Sequence, residues 1–399
     1  MAGLRAAEAV VKNGFTGEVV VIGDEPAMPY NRPPLSKESL AEPGEVDGLC
    51  FRLPRAAADV RWKLGVAVTS ADLEARTVTL ADGETLGWDG LVVASGLRPR
   101  RLPLDGPARG RHVLRTHQEA VALNAALRPG SRIVIVGAGF IGCEVAATAR
   151  KLGAEVDIVA PEAVPIERPL GPLLGAELQR RHEAAGVRFH LGRLPVAVLG
   201  DEQVTGVRLD DGTELAADVL VEAIGCVPNV EWLDGNGLNL ADGVLCDEQL
   251  RVEGRSDVVA CGDVARFPNA LFDRVFDRVA DNVPRRVEHW TMATDTAKRA
   301  GATLATALTG SDNEAAPFAP IPSFWSDQYG VRIQSFGSIG LGDDVRVIEG
   351  ELTGEAAVGY FRADRLVGVV LFGLGGRHLH YRERVAELGL PADDLQPAG

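Results

Sequence analysis

Arg132-Ile133-Val134-Ile135-Val136-Gly137-Ala138-Gly139-Phe140-Ile141-Gly142-Cys143-Glu144 is the stretch on which the fold turns. A short β-branched apolar run closed by glycine reads as a buried strand. The glycine spacing then matches the strand–turn–helix that opens a dinucleotide-binding unit. Gly137 permits the tight turn, Gly139 lets a pyrophosphate approach the backbone, and Gly142 lets the helix pack close to the strand. The phosphates would sit at the helix N-terminus, where free N–H groups and the dipole favour negative charge, with Ile141 in the same turn. The helix is predicted over about residues 143–152, ends at Gly153, and is followed by a second strand at 156–159. An acid closing that strand selects NADH and an arginine selects NADPH. Here the acid, Glu162, comes two residues after Ala160, with Arg168 further on, so NADH is expected and NADPH stays open.

Outward from this unit the pattern is that of an α/β chain. Residues 2–13 carry Leu4, Ala7 and Val11 at helical spacing and stop at Gly14; residues 18–22 and 91–94 read as buried strands. Residues 28–37 are too rich in proline for regular structure. Residues 66–81 alternate as a small antiparallel excursion turning at Asp82-Gly83, and further strands are expected at 204–209, 218–224 and 258–261. A helix is expected at 173–185 and another at 290–308. From residue 315 the texture changes to antiparallel strands at 334–336, 345–348, 356–362 and 366–372 with a short terminal helix, a separate α+β domain.

The chain has 399 residues, enough for two or three domains, and its net charge of -15 argues against general affinity for nucleic acid or membrane surfaces. Cys50, Cys143, Cys226, Cys246 and Cys261 form no C-x-x-C pair, which suits a reducing, cytoplasmic setting, and no apolar run approaches a membrane span. No metal site is expected.

Pro29-Tyr30-Asn31-Arg32-Pro33-Pro34-Leu35-Ser36-Lys37 resembles a signature of FAD-dependent pyridine-nucleotide oxidoreductases, in the ferredoxin reductase branch. That branch includes putidaredoxin and rubredoxin reductases, dioxygenase reductase components and apoptosis-inducing-factor-like proteins. Ala94-Ser95-Gly96, Ala223-Ile224-Gly225 with Pro228-Asn229, Cys261-Gly262-Asp263, Glu288-His289-Trp290 and residues 323–329 fit in order. The resemblance implies two interleaved Rossmann-like domains plus a C-terminal α+β domain: residues 1–97 with 228–308 for FAD, 98–227 for NAD(P)H, and 309–399 for dimerisation and partner docking. Asp24 with Glu25 would hold the adenosine ribose, about 20 residues after Gly3. Arg32 and Lys37 would line the flavin, Asp263 would bind the ribityl chain, and Glu288, His289 and Trp290 would lie along the pyrimidine end. Ala94 and Gly225 would border the two cofactors. Trp325 would stand at the exposed edge, and Lys37 would pair with Glu144 at the reacting centre. Such a chain would carry electrons from NAD(P)H through FAD to a ferredoxin or similar iron–sulfur protein, with a homodimer left open. Two other outcomes stay open: a slow-turnover redox sensor of the apoptosis-factor type, and a reductase of a small acceptor such as monodehydroascorbate.

Three departures from the family follow. The helix at 2–13 has no strand or first two glycines before it, so the FAD unit lacks its first strand; a start further upstream is the expected explanation, with a real truncation that weakens flavin binding, or a flavin-free relic, left open. No cysteine lies in residues 32–40, so electrons must leave the flavin directly. Met292 and Thr296 stand where relatives usually carry amides. Arg274, Arg278, Arg285 and Arg286 form a basic cluster that could steer an acidic ferredoxin.

Overall fold

The computed structural model describes residues 1–272, 283–311 and 318–387. The chain forms two compact units. The first comprises Met1–Asn31, Val46–Arg98 and Val227–Phe324, the second Arg32–Glu45, Pro99–Cys226 and Trp325–Gly399. This division is coarser than the three-domain expectation, and it puts the proline-rich segment from Arg32 with the second unit rather than with 1–97.

In the second unit, five parallel strands lie in the order Val187–Leu191, Glu155–Ala160, Arg132–Val136, Val219–Glu222, Arg111–His112. The central strand is flanked on both sides, which explains its unbroken Ile-Val-Ile-Val run: helices cover both faces of a parallel sheet, so no position is free to be polar. The helix Phe140–Lys151 starts at the glycine turn, three residues earlier than the apolar spacing suggested. The helix expected at 173–185 runs Glu167–Ala184 and kinks at Gly171, whose φ of 75° breaks the helical path just before Pro172. The C-terminal part of this unit carries a five-stranded sheet ordered Ser323–Gln328, Val331–Gly337, Arg365–Phe372, Ala356–Arg362, Asp344–Gly350, its core filled by Phe361 and Phe372. The antiparallel ladders are those the alternation implied.

The first unit is built around the helix Ala2–Lys12 crossing the helix Trp290–Thr309. Gly301 allows that crossing, because a Cβ there would lie 2.6 Å from the Ala6 carbonyl oxygen. Around them are two separate parallel pairs, Val20–Gly23 with Arg61–Leu64 and Leu91–Val93 with Val258–Ala260. The antiparallel excursion occurs as Val68–Asp72, Thr77–Leu80 and Thr85–Gly87. No helix among the described residues is long and apolar enough to cross a membrane.

Candidate functional site

The second unit carries a turn shaped by what its glycines exclude. Gly137 has φ 109°, and a Cβ on it would stand 2.2 Å from the Ala223 carbonyl oxygen; a Cβ on Gly142 would stand 2.1 Å from the Gly137 carbonyl oxygen. Both are therefore packing glycines. Gly139 differs: it is exposed, it caps the helix, and a Cβ there meets nothing within 4 Å. The open space in front of Gly139, at the N-terminal end of the helix, fits a dinucleotide pyrophosphate. Ile141 is exposed at 39% on the same turn, and Gly225 lies exposed after the neighbouring strand. At the end of Glu155–Ala160, Glu162 is half-buried, its carbonyl accepts from the Gly192 N–H, and its carboxylate lies 3.8 Å from the almost fully exposed Arg168.

The same helix presents Glu144 one turn further on. Lys37 Nζ lies 2.6 Å from Glu144 Oε2, with both side chains largely buried. Lys37 also donates to the Pro33 carbonyl, so the proline-rich turn aims the ammonium group. Two hydroxyls that sequence reasoning left without a role complete the carboxylate: Ser36 donates to Oε2 and Ser326 to Oε1, each at 2.5 Å. Thr148, a turn beyond Glu144, donates to the Ser36 carbonyl and pins the same segment. Arg32 donates to the Arg115 carbonyl at 2.7 Å. Trp325 is half-buried, with the Arg332 guanidinium 5.7 Å from its ring centroid. The Ser323–Gln328 strand alternates strictly, so Trp325 and Asp327 share one face while Ser326 and Gln328 point inward.

The first unit carries the other residues expected for FAD. Asp24 is exposed immediately after the Val20–Gly23 strand, while Glu25 accepts from the Tyr30 hydroxyl at 2.6 Å. Gly3 sits in the first turn of its helix, and a Cβ there would lie 3.8 Å from Val21 and 3.9 Å from Ala94. Asp263 stands in the short turn Gly262–Val264. Thr296 is not an empty substitution for an amide: its hydroxyl accepts from the Gly262 N–H at 2.9 Å and donates to the Met292 carbonyl at 2.6 Å. Glu288 is exposed and pairs with Arg286; Trp290 stacks at a tilt 6.4 Å from Phe51. His289 packs edge-on against Phe324, its Nδ1 is buried without a hydrogen-bond partner among the described residues, and burial pushes its pKa down to about 4. An orphaned ring nitrogen in an otherwise packed site fits a bound heterocycle able to pair with it.

A family described as pyridine nucleotide-disulphide oxidoreductase matches residues 1–297, and one described as reductase C-terminal matches residues 323–394. The chain belongs to the pyridine nucleotide-disulphide oxidoreductase family. Within it, the chain is 35% identical over 373 residues to rhodocoxin reductase of Rhodococcus erythropolis, covering 92% of this chain and 83% of that one. It is 33% identical over 382 residues to putidaredoxin reductase of Pseudomonas putida, covering 92% and 86%. Among solved structures, a ferredoxin reductase from Rhodopseudomonas palustris superposes with TM-score 0.88 at 31% identity, over 98% of this chain and 94% of that one. The reductase of the covalent putidaredoxin reductase–putidaredoxin complex superposes with TM-score 0.88 at 30% identity, over 99% and 93%. The family name notwithstanding, none of the five cysteines forms a disulfide, and Cys143, Cys246 and Cys261 are buried with thiol pKa values raised by desolvation.

The expected basic cluster is only partly in view. Arg274 and Arg278 lie outside the described residues. Arg286 is committed to Asp242, Glu288 and the Asp263 carbonyl, which leaves Arg285 as the exposed member.

Proposed function

We propose that this chain oxidises NADH at the Gly137–Gly142 turn, carries the electrons on FAD, and delivers them singly to an iron–sulfur protein of the ferredoxin type. When bound, FAD supplies the chemistry: it accepts hydride as a pair of electrons and releases them one at a time. The protein's part is orientation and electrostatics. The N–H groups after Gly139 hold the pyrophosphate, and Glu162 receives the ribose hydroxyl, with its partner Arg168 weakly held and free to swing aside. Asp24 takes the adenosine ribose of FAD, Asp263 the ribityl chain, and the His289 ring nitrogen the pyrimidine end. Arg32 lines the flavin, and Glu288 and Trp290 flank His289. Lys37 provides a fixed cation for a ring that gains negative charge, and Glu144 keeps that cation in place. Trp325 covers the edge from which electrons depart. Residues 1–97 with 228–308, 98–227 and 309–399 carry the FAD, nicotinamide and docking roles, and five cysteines outside any disulfide suit the cytoplasm.

The buried Lys37–Glu144 pair, mounted on the helix that begins at the nucleotide turn, carries this reading. The absence of a cysteine in residues 32–40 supports direct exit of electrons from the flavin over relay through a disulfide. Steady-state assays on FAD-loaded protein test it. NADH should be preferred over NADPH, and a plant- or adrenodoxin-type ferredoxin should be reduced catalytically. Turnover with ferricyanide alone, and none with any ferredoxin, would remove the protein partner.

A further inference from the structure

The Ser326 hydroxyl that donates to Glu144 is itself the end of a buried chain. Gln328 Nε2 donates to Ser326 Oγ at 3.0 Å, Gln328 Oε1 lies 2.8 Å from His182 Nε2, and His182 Nδ1 lies 3.2 Å from the Tyr329 hydroxyl. Ser326 and His182 are fully buried and Gln328 is 3% exposed. Tyr329 and Gly330, with φ values of 49° and 78°, form the two-residue turn that closes the hairpin and brings the phenol beside the imidazole.

Donor and acceptor chemistry fixes the direction of every link. At 2.5 Å the Ser326 hydroxyl must give its proton to the Glu144 carboxylate, since two lone pairs at that distance would repel. Ser326 Oγ then accepts from Gln328, which turns the amide oxygen toward His182. An amide oxygen only accepts, so the imidazole carries its proton on Nε2, and Nδ1 accepts from Tyr329. Burial pushes the His182 pKa down, consistent with a neutral ring holding one proton. The links Tyr329, His182, Gln328, Ser326 therefore all donate one way, toward Glu144, and such aligned bonds polarise one another.

We infer that His182, Gln328 and Ser326 are positioning residues: their one-way chain holds the Glu144 carboxylate in the orientation that presents its other oxygen to Lys37. The inference rests on the reading that Lys37 serves the flavin. It is not a proton path, because a proton crossing the Gln328 amide would leave an imidic acid. The chain therefore transmits orientation and polarisation from the helix Glu167–Ala184 to the Lys37–Glu144 pair.

Two measurements test this. In nitrogen-15 NMR of histidine-labelled holoenzyme at pH 7, His182, assigned by its loss in His182→Gln, should show a protonated Nε2 and an acceptor Nδ1. A protonated Nδ1 or an imidazolium would overturn the chain, whether or not the flavin reading holds. In the second, Ser326→Ala should bind flavin at wild-type stoichiometry but show a lower flavin midpoint potential and roughly tenfold slower reduction by NADH, the usual scale for one charge-assisted hydrogen bond. KM should not move, and Ser326→Thr should restore both values. An unchanged potential and rate in flavin-loaded Ser326→Ala overturns the inference. Should Ser326→Ala not fold, Tyr329→Phe carries the same test at the far end of the chain, with a shift in the same direction. Wild-type protein that takes up no flavin would instead sink the functional reading, and the NMR result would still decide the chain.

Discussion

The two units use the same strand–helix device but pair their strands differently among the described residues. In the second, Arg132–Val136 has a parallel neighbour on each side, and four of its five residues are buried. In the first, Val20–Gly23 and Leu91–Val93 each pair on one side only among the described residues, and Val20–Gly23 is half-buried throughout. Gly3 sits near Val21 of one strand and near Ala94, just past the end of the other, yet no described strand joins the two pairs. The polar groups tell the same story. His182, in the second unit, has a partner on each ring nitrogen, whereas His289, in the first, has an orphaned Nδ1. A parallel sheet draws its stability from burial on both faces and a full ladder, so the second unit is preorganised for its nucleotide. The first should depend more on its cofactor.

Breaking the second unit at its best-satisfied point should have the largest effect. Glu144→Ala leaves the Lys37 ammonium largely buried without its counter-ion, and chemical denaturation should register a loss of about 4 kcal/mol. Lys37→Met combined with Glu144→Ala should recover much of it. The next effect belongs to the first unit. His289 in the unfolded chain takes up a proton near pH 6.5, but in the folded chain only at about 4. Stability present above pH 6.5 is therefore lost as the pH falls toward 4, by about 3 kcal/mol in all. His289→Phe should flatten that part of the pH profile, and a profile unchanged by the substitution would show that His289 is accessible to protons.

Gly139→Val separates binding from folding. Because the space there is open, thermal stability should hold while affinity for NADH falls roughly a hundredfold, and flavin content should stay as it was. An equal loss of flavin would mean that the two sites are not independent. The smallest effect is at the surface. Arg285→Glu should slow reduction of an acidic ferredoxin about threefold at low salt, leave ferricyanide reduction unchanged, and lose its effect as salt rises. Arg286→Glu is not an equivalent test, because it would break ion pairs to Asp242 and Glu288.

What the sequence disclosed, and what it hid, cuts across the two units. The run 132–144 was legible because burial on both faces forces an apolar composition and tight packing forces glycine at two of the three turn positions. The pairing of Lys37 with Glu144 was legible only through family resemblance, since no local rule links residues 107 apart. The strand Arg61–Leu64 was missed because Arg-Trp-Lys-Leu on a half-exposed edge lacks an apolar run. The helix His117–Ala126 was missed although Thr116 and Glu119 spell its capping box, which is present in full. The buried polar chain could not be read at all. Ser326 and Gln328 sit at alternating positions where a core strand ordinarily places apolar residues, and only the fold shows that His182 and Glu144 are waiting for them.

Anaerobic rapid mixing addresses the central claim most directly. FAD-loaded protein, reduced with one equivalent of NADH, is mixed with oxidised ferredoxin while flavin and iron–sulfur absorbance are followed together. Reoxidation of the flavin should match reduction of ferredoxin, one ferredoxin per electron, on the timescale of turnover. A flavin that stays reduced in the presence of every ferredoxin tried would contradict the account.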